Sequence, residues 1–313
     1  INYINVDEGS AQIGNILIEN SKIKAISNDL NQISAKKEID GTGKWLIPGM
    51  TDAHIHLFQS GGIYTRPDVI DLRSVMPYED ERNWLKENAS DLLKRYLRCG
   101  ITTVIDVGGP LYNYELRNQL NKPTEYPNLY LTGPLVSTYQ PEAFEVDDPP
   151  IVKVNSKEEA ISLVQKQLPL KPDFIKIWYI VTTNQTAEST YEIVETTIAE
   201  SHKNGLKVAV HATQLNTAKL AVKAGADILV HSVDDPIDED FIRLLEENNV
   251  IYIPTMVVHG NYFETFDQNP SLTKEDFTFS NPFPLGSHFD SRHLPKGNIF
   301  EQFGNFRPQM EAR

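Results

Sequence analysis

The chain has 313 residues, 43 acidic against 29 basic side chains, a formal charge of −14 and 40% apolar residues. This suits a globular protein with a large core, in one barrel-sized domain or two smaller ones. The charge speaks against a nucleic-acid binder, and no apolar run approaches the ~18 residues that span a membrane.

Residues 1–44 read as a small β-layer. Ile4–Val6, Ile13–Glu19 and Lys22–Ile26 are strand-like and are separated by Asp7-Glu8-Gly9 and Asn20-Ser21. So few short strands rarely hold a core alone. From Trp45 the pattern becomes strand, then helix, repeated. Strands are expected at 45–57, 100–107, 128–136, 173–180, 206–213, 227–233 and 249–258, and helices at 79–98, 187–203, 215–224 and 237–248. The strands are apolar on both faces, as in a buried parallel sheet. The expected class is therefore α/β, a (β/α)8-type barrel over 45–313 that lacks its last unit. Cys99, the single cysteine, excludes an internal disulfide, and beside Leu97 and before Gly100 it reads as a buried, inert thiol. Residues 260–313 are rich in Asn, Pro, Phe and charge; no eighth strand is visible, and 299–313 resembles the start of a helix. The first residue is Ile1 rather than Met, so a cleaved leader stays open, and the location with it: cytoplasmic, periplasmic or secreted.

The chemistry concentrates at strand ends. His54 and His56 are separated by one residue, so on a strand both imidazoles face the same side. His211 and His231 close the strands at 206–213 and 227–233. Barrel enzymes place catalytic groups at this end of their strands, and neutral imidazoles are good ligands for a divalent metal. Each histidine alone could be an ordinary hydrogen-bonded side chain; four at one barrel mouth point to metal. Lys176 lies among apolar strand residues, where an unpaired ammonium is costly. A neutral amine there could instead capture CO2 as a carbamate, an anion able to bridge two ions. Tyr139, Tyr179 and His259 follow the third, fourth and seventh strands, where substrate contacts would arise.

Pro48-Gly49-x-x-Asp52-x-His54-x-His56, with Ser60-Gly61-Gly62 and the stretch from Val210-His211-Ala212 through Gly225-Ala226-Asp227 to His231, resembles the amidohydrolase superfamily. The likeness is nearest to its imidazolonepropionase-like and Xaa-Pro dipeptidase-like branch and covers about residues 1–260. It implies that His54 and His56 bind one ion, His211 and His231 a second, and carboxylated Lys176 bridges them. It also implies that the N-terminal strands belong to a β-sandwich completed by C-terminal strands, which this chain lacks. The family's proton-shuttling aspartate at the end of strand eight has no counterpart here. Asp290, in a loop-like context, is not assigned that role, so the catalytic proton carrier is unknown.

The expected activity is a binuclear hydrolase that uses a metal-bridging hydroxide on an amide C–N bond, of an Xaa-Pro dipeptide, an N-acyl amino acid or a cyclic amide. Zinc is the default metal, with manganese or iron as alternatives. The competing readings are a mononuclear hydrolytic deaminase and an impaired scaffold without the strand-eight aspartate. The expected partner is a small amide substrate, with no nucleic acid and no membrane. A homo-oligomer stays open.

Overall fold

The computed structural model describes residues 1–29, 34–122, 124–268 and 270–294. The expected helix at 299–313 lies outside them. The chain divides into two compact units, Ile1–Met50 and Thr51–Arg313.

In the first unit, β1 (Asn2–Asn5) pairs antiparallel with β2 (Ser10–Ile13), and β3 (Asn15–Glu19) with β4 (Lys22–Ser27). The strand expected at Ile13–Glu19 corresponds to β3; β2, which Gly14 separates from it, was not expected apart from Ile13. Asn20 and Ser21 take φ of 51° and 61°, the left-handed pair of a tight hairpin turn. β5 (Trp45–Leu46) pairs parallel with Asn2 and Tyr3 and draws residues 45–50 into this unit. Val6, Ile13, Ile18 and Ile23 are exposed.

The second unit is built from parallel strands and helices. One sheet has the order β6 (Met50–Ile55), β7 (Ile101–Asp106), β8 (Asn128–Leu131). The other runs β10 (Ile151–Lys153), β9 (Leu135–Ser137), β11 (Ile175–Trp178), β12 (Val208–His211), β13 (Ile228–Val230), β14 (Ile251–Ile253). β8 and β9 are the two halves of the single strand expected at 128–136. Pro134 has no N–H for the ladder, and the break falls there. The halves stay linked to their neighbours because Asp173 N donates to the Leu131 carbonyl at 3.0 Å.

The expected barrel is not closed. β6 and β14 each end their sheet, and no described strand lies between them. In the stretch from 260, where the sequence showed no clean strand, the described residues contain helices α7 (Val258–Phe266), α8 (Lys274–Phe279) and α9 (Pro282–Asp290); α7 begins at the last residue of the strand expected at 249–258. Asp290 thus ends a helix rather than sitting in a loop, and its Oδ2 accepts from the Tyr64 hydroxyl at 3.2 Å.

The remaining helices are α1 (Tyr78–Arg98), α2 (Tyr112–Leu120), α3 (Lys157–Gln167), α4 (Ala187–Lys203), α5 (Leu215–Lys223) and α6 (Glu239–Glu247). Among the described residues, no helix is long and apolar enough to cross a membrane. Cys99 caps the end of α1 and is exposed, not buried: the chain turns there to enter Gly100 at φ +80°.

Strand alternation sorts the core into two layers. Ile177, Val210, Leu229 and Tyr252 pack with the helices, whereas Phe174, Ala209, Ile228, Val230 and Ile253 pack together on the opposite, inner face. Lys176 is register partner to Ala209 and alternates with outward Ile175 and Ile177, so it belongs to the inner face.

Candidate functional site

His54 lies on β6 and His56 one residue past its end, not within the strand as expected. Ile55 between them packs outward with Leu93 of α1, which leaves both imidazoles on the inner face. Their ring centroids are 5.3 Å apart. His211 ends β12 and His231 follows β13, their rings 4.4 Å apart. His54 and His231 join the pairs, 4.6 Å between centroids. Four imidazoles from three strand ends therefore form one contiguous group.

Lys176 stands fully buried near this group, and its Nζ has no hydrogen-bond partner. Burial brings its pKa down to about 7. Burial also holds the imidazoles of His54, His56 and His211 neutral. His56 falls to about 3 despite its bond to a carbonyl, with the charges of Lys176 and Arg66 adding to the effect. His54 and His211 fall well below the ordinary histidine range, chiefly through burial and then through Lys176 and the neighbouring imidazoles. Neutral imidazoles are the form that ligates metal.

Two of the rings are oriented from behind. His56 Nδ1 lies 2.7 Å from the Gly108 carbonyl, which can only accept, so Nδ1 carries the proton and Nε2 keeps its lone pair. His231 Nδ1 lies 2.9 Å from Thr255 Oγ1. His54 Nδ1 is buried without a hydrogen-bond partner. An orphaned imidazole nitrogen and an orphaned amine beside other imidazoles are atoms that a cation and its anionic bridge would satisfy, so the donor set fits divalent metal. Among the described residues, however, no three or more His, Cys, Asp or Glu side chains gather around one point as a ready ion cage.

Tyr139 and Tyr179 part company. Tyr179 is buried in the helix-side core, and its hydroxyl donates to the Ala187 carbonyl at 2.5 Å. It is structural in this position, because on a strand residue 179 faces away from Lys176. Trp178, two residues after Lys176, shares the lysine's face; its ring lies 5.9 Å from His211 and 5.8 Å from the exposed ring of Tyr139. The same period of two that paired His54 with His56 could have selected it. His259 lies in the first turn of α7, and its side chain lies outside the described residues.

A cavity of about 350 Å3 reaches His56 and is lined also by Gln59, Tyr96 and His288. A neighbouring one of about 420 Å3 holds Arg66 and Tyr262 but none of the four clustered histidines. Arg66 gives Nε and Nη2 to Asp68, both at 2.7 Å, and Nη1 to the Tyr262 hydroxyl at 3.0 Å. Sequence reading missed Arg66, which has no motif around it.

A profile of the Amidohydrolase family matches residues 45–276. The chain belongs to the amidohydrolase family. Matches to curated relatives are short. A 5′-deoxyadenosine deaminase of Methanothermobacter thermautotrophicus is 46% identical over 52 residues, 17% of this chain and 12% of that protein. A dihydroorotase of Lactobacillus helveticus is 47% identical over 49 residues, 16% of this chain and 11% of that one. The chain therefore matches only about an eighth of the length of these relatives.

Solved structures align far more widely. A prolidase in complex with N-methylphosphonate-L-proline gives a TM-score of 0.65 at 17% identity, covering 97% of this chain and 74% of that one. The ochratoxinase of A. niger gives 0.61 at 18%, covering 97% and 72%. A Xaa-Pro dipeptidase with bound methionine gives 0.55 at 21%, covering 96% and 71%. The likeness to these hydrolases is one of fold.

Proposed function

We propose that this chain carries the metal centre of a hydrolase that cleaves an amide C–N bond in a small substrate, of the Xaa-Pro dipeptide or N-acyl amino acid type. The observation that carries the reading is the meeting of His54, His56, His211 and His231 beside a buried, partnerless Lys176. The prolidase and dipeptidase likenesses of fold support the branch.

His54 and His56 would hold one divalent ion, zinc by default, and His211 and His231 a second, with carboxylated Lys176 as their shared anion. That division needs no third His, Cys, Asp or Glu at either ion. Bound ions supply Lewis acidity toward water and a carbonyl oxygen. The chain's own residues prepare for this: burial keeps the imidazoles of His54, His56 and His211 neutral, and Gly108 sets the His56 tautomer. With Lys176 near pKa 7, much of the amine is neutral and able to take up CO2, releasing one proton as the carbamate forms. Trp178 offers an aromatic face next to His211, and Tyr139 one next to Trp178. In fold terms the reading is a (β/α)8-type barrel with the place for one more strand between β14 and β6, and with residues 1–44 as part of a composite β-sandwich.

The test is a hydrolysis screen of L-Xaa-Pro dipeptides, N-acyl amino acids and a cyclic amide, with zinc counted per chain. Two zinc ions and turnover of the carboxylate-bearing substrates are expected. The deaminase likeness favours a second reading, with one ion and release of ammonia from an aminopurine. One ion per chain together with deamination would replace the first reading by the second.

A further inference from the structure

The backbone where β13 and β14 end is strained at two positions. His231 has φ +77° and Thr255 φ +47°, both in the left-handed region, and Thr255 is β-branched. The strain at His231 has a visible effect. Ile228 and Val230 face the inner layer and Leu229 the helices, so continued alternation would send residue 231 outward. The left-handed turn instead brings its ring to 4.4 Å from His211 and 4.6 Å from His54.

The two turns are tied together. His231 N donates to the Ile253 carbonyl at 2.9 Å, and Ser232 Oγ donates to the Pro254 carbonyl at 2.7 Å. The third tie joins the side chains, His231 Nδ1 and Thr255 Oγ1, at 2.9 Å. We infer that Thr255 is a positioning residue for the metal centre: its hydroxyl accepts the Nδ1 proton of His231, holds the re-aimed ring and leaves Nε2 as the metal-binding atom. Its role parallels that of the Gly108 carbonyl behind His56, but it is performed by a side chain and can be tested by substitution. The inference rests on the proposed metal site.

The test uses the full chain with 15N-labelled histidine. In the metal-free protein, nitrogen shifts of His231, assigned with His231→Gln, are expected to show the Nδ1–H tautomer. Thr255→Val keeps the shape and loses the hydroxyl, and should move His231 toward Nε2–H; Thr255→Ser should retain the wild-type tautomer. In titrations with Zn2+ alone, Thr255→Val should weaken binding about 10- to 100-fold, and Thr255→Ser should stay near wild type. Thr255→Gly relieves the strained φ without a hydroxyl, so weak zinc binding in it assigns the effect to the hydrogen bond. A wild-type tautomer and wild-type zinc affinity in Thr255→Val would overturn the inference. If instead the wild-type protein shows the Nδ1–H tautomer but binds no zinc, the metal reading fails while the role of Thr255 in holding the ring stands.

Discussion

The two histidine pairs reach the same place by different means. His54 and His56 get there by strand alternation alone, with Ile55 pinned outward between them. His211 follows alternation too, in register with Trp178, but His231 must leave it through a left-handed residue. The first pair is written in local sequence. In the second, His231 depends on tertiary contacts around β14, at the edge of its sheet. A histidine cluster can thus take three of its rings from strand period and the fourth from a strained turn.

The largest expected effect tests what both pairs share. Lys176→Met should abolish zinc-dependent hydrolysis and yet stabilise the metal-free protein, because it removes a buried amine without a partner. For a base with a lowered pKa, the stability contribution is full above 10.5 and is lost as pH falls toward about 7. The gain from methionine should therefore be a few kcal/mol at pH 7 and fade toward pH 10.5, read from denaturant midpoints. An unchanged or lowered midpoint at pH 7 would mean that Lys176 has a stabilising partner.

Separating the pairs comes next. If each holds its own ion, His54→Ala and His211→Ala should each cut zinc from two ions to one per chain by elemental analysis, and the double variant should bind none. If all four rings serve one ion, either single substitution weakens that ion and the stoichiometry never exceeds one.

A smaller contrast lies at the end of β11, between Trp178 and the residue after it. Tyr179→Phe removes the hydrogen bond to the Ala187 carbonyl and should cost about 1 kcal/mol of stability without changing KM. Trp178→Ala, on the inner face, should raise KM. A KM effect from Tyr179→Phe would put that ring back beside the substrate.

These contrasts also show how much was legible. The parallel β/α pattern, helix α4 to its ends, and the four histidines with Lys176 follow from apolar runs and from residue types at strand ends. Helices α3 and α8 were missed although their caps are local: Ser156 accepts from Glu159 N, and Thr273 forms a reciprocal box with Asp276. Helix α9 starts with an Asn281 cap and Pro282, another readable signal. Helix α2 gave little, because buried Asn113 sits where an apolar residue would mark the period. Thr255 could not be found from sequence, since nothing local says that a chain will take φ +47° at a β-branched residue. Cys99 was misjudged for a related reason: an apolar neighbour does not reveal that the residue caps a helix at the surface.

The finest test concerns the support behind His56. Asp106 is fully buried; its Oδ1 accepts from Gly108 N at 3.2 Å and its Oδ2 from Asn113 Nδ2 at 2.8 Å. Burial pushes its pKa up to about 8, although the Gly108 and Leu57 amides and Asn113 pull the other way. An acid raised from 3.8 to about 8 keeps its proton in the folded state. Its contribution is full below pH 3.8 and is lost as pH rises to about 8, at no more than ~1.4 kcal/mol per pH unit. Asp106→Asn cannot ionise, so the stability of the wild type relative to this variant should fall steadily from pH 5 to pH 8 in metal-free denaturation. Parallel pH curves would mean an ionised Asp106 throughout, with its three donors outweighing burial. The Gly108 carbonyl would then be anchored to His56 by a charge, and the first pair would rest on buried electrostatics as well as on strand geometry.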